Sequence, residues 1–166
     1  MTGLDTNVLV RYVMQDDARQ SPRATRLIES LTPDAPGFVP VVTLMELVWV
    51  LVGSDGRSRS QVATVLETLR YSKELVVDRA ELVTQALNRY ASAGADFADA
   101  LLVRIAAAAG CAATRTFDSG AAKAAGMTLQ SDAGSLTWFR ARHHKRAGSR
   151  RQGSRLSPSR PAIQWP

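Results

Sequence analysis

The sequence predicts an α/β fold with a mainly parallel sheet. Short apolar segments alternate with longer ones whose apolar residues recur every three or four positions. Acidic residues stand just past several of the short segments. The chain has 166 residues, 45% hydrophobic and 22% charged, which is one ordinary globular domain with enough length to bury a core.

The elements follow in order. Thr2 to Leu4 is a short apolar start that runs into Asp5, and Val8, Leu9, Tyr12 and Val13 then recur at helical spacing. Ser21 and Pro22 start a second helix with Leu27, Ile28 and Leu31 as its apolar stripe. Pro33, Pro36 and Gly37 make a loop before a strand from Phe38 to Val42. Thr43 opens a helix that runs to Val52 and stops at Gly53. Thr43 and Glu46 have capping-box spacing, with Val42 and Leu47 as the matching hydrophobic staple. After a polar loop, Val62, Val65, Leu66 and Leu69 mark the next helix, and Leu75 to Val77 a strand. Asp78 and Glu81 cap a helix carrying Leu82, Ala86, Leu87 and Tyr90, which Gly94 ends.

Asp96 begins another helix, with Leu101, Leu102, Ile105 and Ala109 on its apolar side and Gly110 past its end. Cys111 to Phe117 reads as a strand running into Asp118. Ala121 to Ala125 is a short helix closed by Gly126, and Met127 to Leu129 a last strand. The organisation is therefore a domain over residues 1–133, a C-terminal helix within 134–146, and a Ser/Gly/Pro-rich basic tail, 147–166, too poor in apolar residues to pack.

Composition excludes several classes. The single cysteine, Cys111, rules out an internal disulfide and a cysteine zinc cluster, and reads as a small buried hydrophobe. No apolar run approaches the roughly 20 residues of a membrane span, and the N-terminus lacks a secretory pattern. A cytoplasmic protein is expected. The net charge of +6 is uneven. Residues 140–166 hold Arg140, Arg142, Lys145, Arg146, Arg150, Arg151, Arg155 and Arg160 and no acid. Without those 8 of the 21 basic residues, 13 face 15 acids, a body of −2. A basic arm of this kind adds affinity for nucleic acid or acidic surfaces, or is a solvated extension. His143 and His144 sit in it and read as solvated.

In an open α/β sheet, ligands bind beyond the carboxyl ends of the strands. Asp5 and Asp118 each follow a predicted strand, and Glu46 and Asp99 each fall in the first turn of a predicted helix. Asp96 and Asp99, three apart, share a helix face. Two carboxylates about 4 Å apart repel by roughly 1 kcal/mol in water and about 4 kcal/mol at an effective dielectric of 20. Several such groups stay ionised together only with cations among them. Oxygen ligands without His or Cys select Mg²⁺ or Mn²⁺ over zinc, and such ions can activate water against a phosphodiester. Each acid also has a plain reading: a capping box for Glu46, an N-cap for Asp96, a first-turn acid for Asp99, turns for Asp5 and Asp118. Trp49 reads as core.

Four pieces in this order resemble a PIN domain: Leu4-Asp5-Thr6-Asn7-Val8-Leu9-Val10, the Thr43-x-x-Glu46 helix start, Asp96-Phe97-Ala98-Asp99-Ala100, and Thr116-Phe117-Asp118. The nearest flavour is the VapC-type toxin of bacterial toxin–antitoxin modules. The resemblance covers about residues 2–130, and the tail has no counterpart in it. It implies a parallel sheet between helical layers and a Mg²⁺- or Mn²⁺-dependent ribonuclease. By position it implies Asp5, Glu46, Asp99 and Asp118 as the catalytic acidic quartet, with Asp96 as an extra metal-facing acid. Thr6, Asn7 and Thr116 would support them. Cleavage in the family leaves a 5′-phosphate and a 3′-hydroxyl, as attack by water would. The resemblance further implies a homodimer, a VapB-type antitoxin whose segment lies over the acids, and structured RNA substrates such as tRNA or rRNA. Arg11 and Arg115 are the candidate RNA-binding cations of the body.

Three other readings compete. A PIN-type nuclease without an antitoxin would act in RNA processing. A non-catalytic RNA-binding module would use the tail and leave the acids idle. A phosphotransfer domain of haloacid-dehalogenase type wants a second Asp two residues after the first, where this chain has Asn7.

Overall fold

The computed structural model describes residues 1–54 and 56–130. The predicted C-terminal helix, the basic tail, Trp138, Trp165 and the histidine pair lie outside the described residues. The elements run β1 (Thr2–Gly3), α1 (Thr6–Met14), α2 (Ser21–Glu29), β2 (Gly37–Val39), α3 (Val41–Gly53), α4 (Arg59–Tyr71), β3 (Leu75–Val77), α5 (Ala80–Ala93), α6 (Phe97–Ala108), β4 (Arg115–Thr116), α7 (Ser119–Ala125) and β5 (Thr128–Leu129). Strands β1, β2 and β3 form one parallel sheet in that order, and β4 pairs in parallel with β5. Helices flank the strands, so the predicted α/β class with a parallel sheet is what the chain adopts.

The register sets which ends meet. Thr2 lies opposite Gly37 and Gly3 opposite Phe38, so the carboxyl ends of β1 and β2 share an edge. Asp5 follows the first, and α3 starts from the second. Gly37 permits the close approach: a Cβ there would stand 2.7 Å from Leu4 Cδ1 and 2.8 Å from Leu31 Cδ1. The core gathers Leu9, Val39, Leu44, Leu47, Leu51, Val62, Leu66, Val83, Phe97 and Leu101, all fully buried. Each such side chain contributes roughly 1.5–3 kcal/mol by leaving water.

Several boundaries differ from expectation. β2 ends at Val39, because Pro40 has no N–H to continue a ladder and instead becomes the N-cap of α3. The helix thus starts at Val41, not Thr43, and carries no side-chain cap. Thr43 is buried and turns its hydroxyl to the Leu4 carbonyl at 3.4 Å. Glu46 falls in the second turn, so the expected capping box is absent. Val42 is 58% exposed and makes no staple with buried Leu47.

A true capping box forms at Ser58 and Gln61, ahead of α4. Asp78 and Glu81 do not cap α5, whose N-cap is Arg79 in a left-handed conformation. The predicted strand from Cys111 to Phe117 shrinks to Arg115–Thr116, and Cys111 is exposed rather than buried. Trp49 is 76% exposed, not core, and Leu102 is also outside. Among the described residues no helix is long and apolar enough to cross a membrane.

Candidate active site

Local chemistry fixes each acid. Asp5 is the N-cap of α1, yet its carboxylate bonds no helix amide. Oδ2 instead accepts from Asn7 Nδ2 at 3.3 Å. The next residue, Thr6, is buried and donates its hydroxyl to Glu46 Oε2 at 2.5 Å. This bond crosses from α1 to α3 and aims Glu46 toward the end of β1. The Thr43 bond to Leu4 fastens the same two segments one layer deeper. Asp5, Thr6, Asn7 and Glu46 therefore form one group.

The second group is Asp96, Asp99 and Asp118. Asp96 caps α6: Oδ1 accepts from the Ala98 N–H at 2.8 Å and the Asp99 N–H at 3.4 Å. Asp118 caps α7 in the same way, from Gly120 at 2.6 Å and Ala121 at 3.1 Å. The Asp118 N–H donates to Thr116 Oγ1 at 3.0 Å, which sets the angle at which the chain leaves β4. Each cap uses one carboxylate oxygen, Oδ1, and leaves the other unbonded by the helix amides. Asp99 is half-buried, and its carboxyl is held above the ordinary carboxylate range. Burial is the first cause, followed by the negative charges of Asp96 and Asp118. None of the five carboxylates pairs with a Lys or Arg among the described residues.

Asp96 and Ala98 face Met45, Val48, Trp49 and Val52 across a cavity of about 190 Å³. The α6 start thus stands beside the helix that carries Glu46. No direct hydrogen bond joins the two acidic groups, and among the described residues no three carboxylates meet closely enough to enclose a metal ion. The donor set suits a hard divalent cation in kind. It is all oxygen, it holds excess negative charge, and Asp99 is biased toward its neutral form first by burial and then by its acidic neighbours.

The two candidate RNA-binding cations are both engaged. Arg11 Nη1 meets both carboxylate oxygens of Asp16 at 2.8 Å, and its Nε donates to Gln20. Arg115 donates to Gln130 at 3.0 Å.

Sequence reading missed Arg59. Its Nη1 donates to the Tyr90 carbonyl at 3.0 Å and the Ala95 carbonyl at 2.5 Å, with the guanidinium 4.3 Å from the Tyr90 ring centre. It ties the turn between α5 and α6 immediately before Asp96. The signal available was the Ser58-x-x-Gln61 box, which fixes Arg59 at the first position of α4.

An α/β domain with acids at the carboxyl ends of parallel strands is the general plan of a site for phosphate chemistry. The family model of the PIN domain matches residues 4–127, and the chain belongs to that family. PIN domains are nucleases that act on nucleic acid and generally use divalent metal. Among curated proteins nothing matches the chain.

Proposed function

We propose that this chain is a Mg²⁺- or Mn²⁺-dependent endoribonuclease of the cytoplasm and the toxin of a VapBC-type pair. The observation that carries the catalytic part is Asp99. A carboxyl raised by its half-burial and by the charges of Asp96 and Asp118, with no cation paired to it among the described residues, is an arrangement that a bound divalent ion relieves. Asp5, Asp99 and Asp118 would hold the metal, with Asp96 at the rim and Glu46 reaching it directly or through water. A divalent cation held there would supply positive charge to the attacking water and the leaving oxygen. The chain's own residues do the positioning. Asn7 restrains Asp5, Thr6 holds Glu46, and Thr116 sets the turn into Asp118. Glu46, with one oxygen bound to Thr6, keeps the other free to orient the attacking water or accept its proton.

The toxin part rests on the resemblance. An unpaired acidic surface fits an antitoxin segment that brings an arginine, since a guanidinium can take the cation's place and bind carboxylates bidentately. A homodimer is part of the same reading, and the substrate is RNA of the tRNA or rRNA class.

The test is RNA cleavage by the purified full chain, freed of partner, in Mg²⁺, Mn²⁺ or EDTA, beside Asp5→Asn. Cleavage with either metal, lost in EDTA and in the variant, is the expected result. Cleavage that persists in Asp5→Asn would overturn the assignment. Growth arrest on expression, rescued by a neighbouring small protein, is the expected sign of the toxin role. Normal growth with full ribonuclease activity would favour RNA processing instead.

A further inference from the structure

A nuclease with an acidic centre must hold a polyanion over it, so positive charge has to come from beside the site. Arg11 is paired with Asp16, and Arg115 lies on β4, bonded to the neutral amide of Gln130. The unengaged charge in the first part of the chain lies on and just before α2. Arg19, Arg23 and Arg26 are all exposed, and none pairs with an acid among the described residues. Three acids stand near them, and Glu29, one turn past Arg26 on α2, makes no ion pair with it. Asp16 is taken by Arg11. Asp17 Oδ1 accepts the backbone N–H groups of Arg19 and Gln20 at 2.8 and 2.7 Å, which holds its carboxyl below the usual range and turns it inward on the backbone. Arg23 and Arg26, three apart on one helix, are surface neighbours about 4.5 Å apart along the axis.

Their position connects them to the site. A groove of about 230 Å³ runs between α1 and α2, lined by Asn7, Val8, Arg11, Gln20, Arg23 and Leu27. Its lining includes both Asn7, whose side chain is bonded to Asp5, and Arg23. The floor is almost wholly apolar, so a charged strand would touch the groove at Arg23 while its sugars and bases cover Val8 and Leu27.

We propose that this groove, with Arg23 in its lining and exposed Arg19 and Arg26 before and after it along the chain, carries the RNA backbone away from Asp5 on one side of the candidate site. The assignment rests on the nuclease reading and adds the surface that holds the substrate. The occupant is a single-stranded RNA segment, recognised through its phosphates. The groove lining presents Arg23 to phosphate oxygens and contains no carboxylate.

The experiment is fluorescence anisotropy of a labelled single-stranded RNA oligonucleotide on the full chain in EDTA, over a range of salt. The Arg23→Gln/Arg26→Gln double variant should bind about 25-fold more weakly at 0.1 M salt, a factor of about five per lost phosphate contact. Its log-affinity against log-salt slope should fall by about 1.4. Arg23→Lys/Arg26→Lys keeps both charges and should keep the slope. Lys73→Gln alters an exposed cation just before β3, at the opposite end of the strands, and should change neither quantity. Wild-type affinity and slope in the double Gln variant would overturn the proposal and leave the groove to a protein partner. An equal loss in Lys73→Gln, or no RNA binding by the wild type, would overturn it too. Metal-dependent cleavage, scored on the same preparations with Asp5→Asn, tests the nuclease reading separately: cleavage intact with binding unchanged in the variants sinks the groove alone.

Discussion

At the scale of single residues the decisive group is Asp99, where two fields oppose each other. The N-terminus of α6 favours a carboxylate in its first turn. Burial and the charges of Asp96 and Asp118 oppose it and outweigh it, which holds the carboxyl above its ordinary value. The consequence for stability follows from linkage. A carboxyl raised in the folded state binds its proton more tightly there than in the unfolded chain. That contribution is fully present below the ordinary value of 3.8 and is lost as pH rises through the raised value. At neutral pH the ionised Asp99 therefore burdens the fold. Asp99→Asn should melt higher than wild type in EDTA at neutral pH, and the difference should vanish on acidification below 3.8. Thermal melts across pH decide this; a variant that melts lower at neutral pH would show that the repulsion is not there. Manganese should reverse the order, because an ion bound only by the folded state stabilises by about 2.7 kcal/mol at a hundredfold excess over Kd. That gain belongs to the wild type and should be largely missing from the variant.

At the scale of elements, the turn from α5 to α6 matters most, because it delivers Asp96 and Asp99 together. Gly94 ends α5 with a positive φ of 69°, a conformation that side chains rarely adopt, and fully buried Ala95 follows. Arg59 then satisfies the Ala95 carbonyl from α4, while Tyr90 and Phe97 meet edge to face at 6.1 Å beneath it. Arg59→Met keeps much of the packing but leaves two carbonyls without their charged donor. A loss of about 2 kcal/mol is expected, at the level of hydrogen bonds to charged groups. Urea unfolding should show it as a lower midpoint at unchanged slope. The metal concentration for half-maximal cleavage should rise as well, which a purely global loss of stability would not cause.

What was legible in the sequence at this scale was whatever a residue does with its own neighbours. Asp96 and Asp118 cap helices through amides two and three residues away, and Gly94 and Gly126 close helices by their own backbone freedom. What was not legible depends on partners far along the chain. The Thr43-x-x-Glu46 spacing suggested a local cap, but Thr43 bonds Leu4 and Glu46 bonds Thr6, each about forty residues away. The exposure of Trp49 and of Cys111 is likewise decided by what the tertiary structure leaves uncovered.

At the scale of the whole molecule two features remain to be accounted for, one apolar and one charged. The outer face of α3 exposes Val42, Trp49 and Val52, with half-buried Met45 between them. Their spacing makes one stripe along the helix, which supports the proposed homodimer. Trp49→Asp should then shift the chain from dimer to monomer in sedimentation, and an unchanged mass would remove α3 from that role. The charge in question belongs to the tail sequence. The body carries more acid than base, so the cations beyond 140 are a further source of attraction for RNA beside metal, the α2 arginines and the other exposed cations of the body. Residues 147–166 contribute Arg150, Arg151, Arg155 and Arg160. Four cations can release the counterions of at most four phosphates, so deleting the segment should lower the salt slope by no more than about three. It should weaken binding most at low salt and leave the cleavage position unchanged, because phosphate contacts hold the strand without reading its bases. RNA binding measured from low to physiological salt, with and without the segment, separates the outcomes. Equal affinity at every salt concentration would show that the tail takes no part in holding RNA. A changed cleavage position would show that it contributes to target choice as well as to attraction.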